Sequence, residues 1–103
     1  MPEFIYTLRP ARAEMPFDPT PEEQEAIGQH WEYVLAATQA GKIIAGGRTT
    51  EPPDIWGLII FEAADLAEAE AFMNADPGVS SGVQIGKVEP FRLALLGSHP
   101  PRP

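Results

Sequence analysis

At 103 residues with 44% apolar content, the chain has room for one hydrophobic core, so a single domain is expected over residues 1–97, followed by a Pro-rich tail over 98–103. It has no cysteine, which excludes disulfides, thiolate metal sites and cysteine nucleophiles, and its net charge of -8 argues against nucleic acid, whose phosphates need clustered Lys and Arg. No apolar run reaches the roughly 20 residues that span a bilayer, and no basic stretch leads into an apolar one, so a soluble, cytoplasmic protein without a membrane partner is the expectation.

In chain order, Glu3 to Leu8 alternates Phe4, Tyr6 and Leu8 against Ile5 and Thr7, the period of a strand. Four prolines between Pro10 and Pro21 mark a loop. Thr20, Pro21 and Glu23 then form a capping-box start, which predicts a helix from Pro21 to about Ala40, stopped by Gly41. Lys42 to Thr50 and Ile55 to Glu62 are two strand candidates, joined by a loop too short for a helix. Asp65 with Glu68 caps a second helix, Leu66 to about Asn74, which Pro77 forbids from continuing. A long last strand is predicted over Val83 to Leu96, bent at Gly86 or Pro90.

Strand, helix, strand, strand, helix, strand is the ferredoxin-like βαββαβ order: an α+β fold with two helices on one face of a four-stranded antiparallel sheet. Ile55 to Phe61 is apolar on both of its alternating faces, as is the run Leu93 to Leu96. Leaving such side chains in water forgoes roughly 1.5 to 3 kcal/mol each, so the uncovered face is expected to pair with a second copy in a homodimer.

Particular residues carry a family resemblance across about residues 3 to 96. They are His30-Trp-Glu-Tyr-Val-Leu, Ala40-Gly-Lys-Ile-Ile-Ala-Gly-Gly47, Ala75-Asp-Pro-Gly, Gly82-Val83 and Pro90-Phe91. In order and spacing this resembles the YciI-like, or YCII-related, family of the dimeric α+β barrel superfamily. The chain departs from that pattern at Pro77-Gly-Val-Ser-Ser, where the family more often has a bulky or aromatic residue after Asp-Pro. The resemblance implies a dimer, no cofactor, and a His/Asp active site in a cleft of each subunit, which falls by motif position on His30 and Asp76. It also implies relatives that act on small cyclic or phenolic molecules, one branch removing chloride from chlorinated hydroxyhydroquinones.

The residues support a separate reading of the same positions. Helical spacing makes Ile27, Trp31, Val34 and Thr38 the centre of the first helix's buried stripe, with His30 on its margin near Ala26 and Ala37. On the second helix Leu66, Ala69, Phe72 and Met73 face inward, and Asp76, four residues after Phe72, continues that line. A carboxylate at a helix C-terminus, if buried, needs a cationic or hydrogen-bonding partner: His30, with Arg9 and Arg48 as alternatives. Such a pairing fixes the imidazole tautomer and leaves the other ring nitrogen to exchange a proton with a substrate. Arg9, Gly47, Arg48 and Ser81 are the candidate substrate-binding residues.

Each of these has a plainer reading. A helical His on an apolar margin is commonly a satisfied core or interface residue, Gly46-Gly47 fits a bulge or close helix packing, and Ser80 and Ser81 fit backbone capping. Carboxylates at ligand-like spacing from His30 are lacking, and the second histidine, His99, lies in the tail, so no metal site is expected. A haem role has no support beyond His30. Two functions follow. One is a cofactor-independent lyase, dehydrochlorinase or isomerase using His30 and Asp76 on a small-molecule ligand. The other is a non-catalytic dimeric binding or accessory domain in which that pair is structural.

Overall fold

The computed structural model describes residues 1–97; the predicted tail, with His99, lies outside the described residues. Its elements are β1 (Glu3–Pro10), α1 (Pro21–Gln39), β2 (Ile43–Arg48), β3 (Gly57–Glu62), α2 (Leu66–Ala75), α3 (Pro77–Ser80) and β4 (Gln84–Phe91). The four strands form one antiparallel sheet in the order β2-β3-β1-β4, the arrangement expected of a ferredoxin-like α+β domain.

Strand parity sorts the side chains. Phe4, Tyr6 and Leu8 of β1 and Ile59 and Phe61 of β3 lie under the helices and are buried. Tyr6, Phe61, Phe72 and Tyr33 form an aromatic cluster, with Tyr6 edge-on to Phe61 at 5.5 Å and Phe61 against Phe72 at 4.8 Å between ring centroids. Ala69 and Met73 of α2 complete the core over β1 and β4. Gly86 is required there, because a Cβ on it would meet Met73 Sδ at 2.8 Å and Val79 Cγ2 at 3.2 Å. On the other face Ile5, Leu58 and Ile60 are half-buried, Phe91 is exposed, and Ile85 is 63% exposed.

Both helix starts form as their residues dictate. Thr20 Oγ1 accepts from Glu23 N–H and Glu23 accepts from Thr20 N–H, the reciprocal box, while Asp65 Oδ1 accepts from Glu68 N–H at 2.8 Å. Four expectations need correction. The last strand ends at Phe91 rather than Leu96, because Phe91 already pairs with Glu3, the first residue of β1, and nothing beyond offers a ladder. Pro77 does stop α2, yet it also opens the four-residue helix α3, with Asp76 as N-cap. The predicted stripe of α1 is less covered than expected: Ile27, Trp31, Val34 and Thr38 all border an open space beside the sheet, where only Val34 is buried, Thr38 is exposed and Trp31 is 61% exposed. The filled side of α1 is its supposed margin, where Ala26 is buried, His30 and Ala37 are half-buried, α1 packs on α3, and Tyr33 donates from its hydroxyl to Phe72 O at 2.7 Å. Leu66, likewise placed inward, is 42% exposed at the first turn of α2.

Candidate active site

Asp76 is the one fully buried ionisable carboxylate among the described residues, at 0% exposure. It sits where α2 ends and α3 begins, so its backbone turns the chain while its side chain points back over the sheet. Three donors converge on it: Tyr6 Oη on Oδ2 at 2.9 Å, Gly78 N–H on Oδ1 at 2.9 Å, and His30 Nδ1, 2.8 Å from both oxygens. The carboxylate is therefore hydrogen-bonded on both oxygens, the condition under which a buried charge persists. Burial, and then the negative charge of Asp76, push the Tyr6 hydroxyl well above its ordinary range, so it stays a protonated donor.

His30 reaches Asp76 because α1 turns that face toward α3. Facing a carboxylate, Nδ1 is the nitrogen placed to donate, so in the neutral ring that tautomer leaves the lone pair on Nε2. The side chain is only 15% exposed, and its exposed part meets a cavity of about 860 Å³ between α1 and the β2–β3 edge of the sheet. Leu8, Ile27, Trp31, Val34, Ile43 and Ile59 make its walls largely apolar. The third wall is the loop after β1, through Met15, Pro16 and Pro19. Arg12 braces that loop, donating from Nη2 to Asp18 O and to Glu23 Oε1, both at 2.6 Å, and from Nε to Glu23 Oε2 at 3.1 Å. Its guanidinium holds the Glu23 carboxyl down at about 2.

The other expected residues divide. Gly47 and Arg48 line the cavity with His30. Arg9 is not brought to the dyad: it lies on the uncovered face, donates to Asp54 at 2.8 Å and stacks over Trp56 at 5.8 Å. Ser81 Oγ serves the backbone, donating to Gly78 O and accepting from Val83 N–H, each at 3.4 Å. Among the described residues no three His, Asp or Glu side chains are grouped to hold a metal ion. Two polar residues went unnoticed in the sequence. Tyr6 was placed only as an alternating strand residue, and Gln84 holds a position that strand parity puts on the helix-covered face, with Gly86 and Val88. A polar side chain at core parity was the signal available for Gln84.

Fold and geometry together define the class: a ferredoxin-like α+β domain with a buried His–Asp pair at the wall of an apolar cleft. The chain belongs to the YCII-related domain family, whose model matches residues 5–92. The structure of 5-chloro-2-hydroxyhydroquinone dehydrochlorinase from Burkholderia phenoliruptrix AC1100, in complex with 2,5-dihydroxybenzoquinone, is similar with a TM-score of 0.69 and 18% identity, over 89% of this chain and 95% of that one. That similarity shows a common fold. Among curated proteins none matches.

Proposed function

We propose that this protein is a cofactor-independent enzyme of lyase, dehydrochlorinase or isomerase type, acting on a small cyclic or phenolic molecule held in the cleft beside His30. The observation that carries the reading is the asymmetry of the imidazole: Nδ1 is bound by a buried carboxylate, while the side chain borders an apolar cavity. In the proposed chemistry His30 Nε2 takes a proton from the bound molecule. In an isomerisation the imidazolium returns it at another position; in an elimination the freed electron pair forms the new double bond as chloride or another leaving group departs, and the imidazolium gives its proton to water. Asp76 orients the ring and stabilises that imidazolium. Tyr6 and the Gly78 N–H hold the carboxylate in place. Apolar walls keep water from competing for that proton. The complex of the dehydrochlorinase with 2,5-dihydroxybenzoquinone supports a ring of that size as ligand.

The assembly we propose is a homodimer that packs the uncovered sheet faces together, covering Ile85 and Phe91 along with Leu95 and Leu96, which are 91% and 67% exposed. A folded monomer at micromolar concentration in sedimentation would contradict this part.

A non-catalytic reading draws on one observation: Tyr6 and Gly78 already satisfy both oxygens of Asp76, so the carboxylate ties α3 to β1 with or without His30. Turnover of chlorinated hydroxyhydroquinones, lactones and ring-cleavage intermediates decides between the two. The enzymatic reading predicts turnover that His30→Ala lowers by about a hundredfold or more, the scale of a general acid/base. Near-wild-type turnover in that variant removes His30 from the mechanism.

A further inference from the structure

We propose that the cleft takes a ring bearing a carboxylate, which Arg48 holds while His30 exchanges the proton; this rests on the small-molecule reading above. Arg48 is the last residue of β2 and pairs with Gly57 of β3, two residues along from the pairing of Gly46 with Ile59. Ile59 lies under the helices, so strand parity carries Arg48 to that same layer, and Arg48 lines the cavity that His30 borders. A Cβ added at Gly57, directly opposite, would stand 3.6 Å from Arg48 Cβ and 3.2 Å from Gly47 O. Glycine there adds no side chain beside Arg48 on the cavity floor.

The charge of the lining sets the ligand class. The chain carries 15 Asp and Glu against 7 Lys and Arg, yet among the described residues no carboxylate lines the cavity, and Arg48 is its one permanently charged residue. Arg9, Arg12, Lys42 and Lys87 are each ion-paired with a carboxylate, whereas Arg48 has no such partner among the described residues. A guanidinium offers paired N–H donors in the fork geometry that a carboxylate accepts on both oxygens. Apolar walls beside it make such a pair worth more than it would be in open water. Elsewhere the net charge of -8 repels anions, so the cleft is where an anionic ring finds a favourable site. His30 stands on α1 and Arg48 on β2, on two sides of the cavity. A ring anchored at Arg48 by its carboxylate is held in one orientation, with its far edge turned toward the α1 wall and His30.

Anaerobic NMR titration of the isotope-labelled full chain tests this, with 2,5-dihydroxybenzoate as the anionic probe and 2,5-dihydroxybenzamide as its neutral counterpart of the same shape. In the wild-type protein at low ionic strength the carboxylate is expected to bind about tenfold more tightly than the amide, between the worth of an exposed ion pair and that of a charge-assisted hydrogen bond. It is expected to shift the His30 ring and the Arg48 side chain along one binding curve, and its advantage should shrink as salt is added. Arg48→Gln is expected to bring the carboxylate within about twofold of the amide and to leave the amide's own affinity within about twofold, while Arg48→Lys keeps part of the preference. Arg48 is exposed, so both variants are expected to keep the thermal midpoint, and a lost preference then reports binding and not unfolding. Equal affinity for the two probes in the wild type, or a preference that survives Arg48→Gln, would make Arg48 a solvated surface residue and overturn the proposal, while the site beside His30 survives. If neither probe perturbs His30, the small-molecule reading falls and takes this proposal with it.

Discussion

The two halves of the helix-covered layer are built from one sheet, yet one half is filled and the other open. Over β1 and the inner part of β3, Tyr6, Phe61, Phe72 and Tyr33 interlock, and Asp76 is sealed among hydrogen-bond donors. Toward the β2 edge Ala45, Gly46 and Gly47 leave little side-chain volume beside the sheet, and about 860 Å³ stays open. His30 stands on the boundary, its Nδ1 bonded to Asp76 and its side chain bordering the cavity. The difference teaches that packing and open space meet at a single side chain: the packed half fixes the imidazole, and the open half is where the proposed substrate would meet it.

Truncations should expose that division. Phe61→Ala in the packed half is expected to cost about 3 to 5 kcal/mol in chemical denaturation, because Phe61 is fully buried and its neighbours cannot collapse into the space. Asp76→Ala should cost a similar 3 to 5 kcal/mol, since it strips three donors of their acceptor. A loss under about 1 kcal/mol in either variant would mean that the packed half is not what holds the fold.

Tyr6→Phe sharpens the comparison at one hydrogen bond, with an expected loss of about 1 to 3 kcal/mol at pH 7. It also carries a pH signature. The folded Tyr6 hydroxyl is raised by burial and by Asp76, whereas in the unfolded chain it ionises near its ordinary value of 10.0. Its contribution is therefore complete below about pH 10 and declines as pH rises further. Between pH 8 and pH 11 the wild type should lose about 1.4 kcal/mol more than Tyr6→Phe, one pH unit's worth above the unfolded value. Equal losses would show that Tyr6 is not held neutral by its surroundings.

At the open half effects should be small. Trp31→Ala is expected to change stability by only about 0.5 kcal/mol, since this helix residue is largely exposed. A cost of several kcal/mol would mean that the cleft is closed in solution. At its outer wall, Arg12→Leu should return the Glu23 carboxyl from about 2 toward its ordinary value of 4.5, read by carbon-detected NMR titration. The sign follows from the depressed folded value: the pair supports the fold above about pH 4.5, and its share is lost as pH falls through about 2.

Much of this architecture was legible because its signals are local. The alternation of β1 and the Thr20–Glu23 box are complete within a few residues, and they formed as read. Asp76 was legible as an inward residue from its spacing on α2, and His30 as its partner from charge chemistry. What failed depended on distant groups. Trp31 looked like core because helical spacing shows which face turns toward the sheet but not whether anything fills the space beneath it, and Trp31 borders the open cleft. The end of β4 depended on where β1 begins. Arg9 was proposed as a partner of Asp76 on charge alone, and strand parity carries it to the other face beside Asp54. Tyr6 and Gln84 escaped notice because a strand residue's role at a site is visible only when the helix above it is in place.

The central claim is that Asp76 holds the ring proton of neutral His30 on Nδ1 and so leaves Nε2 as the base at the cleft. Long-range proton–nitrogen correlation NMR on the labelled protein reads this tautomer directly. The account predicts an Nδ1-protonated ring with an unprotonated Nε2; a neutral ring protonated on Nε2 would turn the lone pair toward a carboxylate and contradict it.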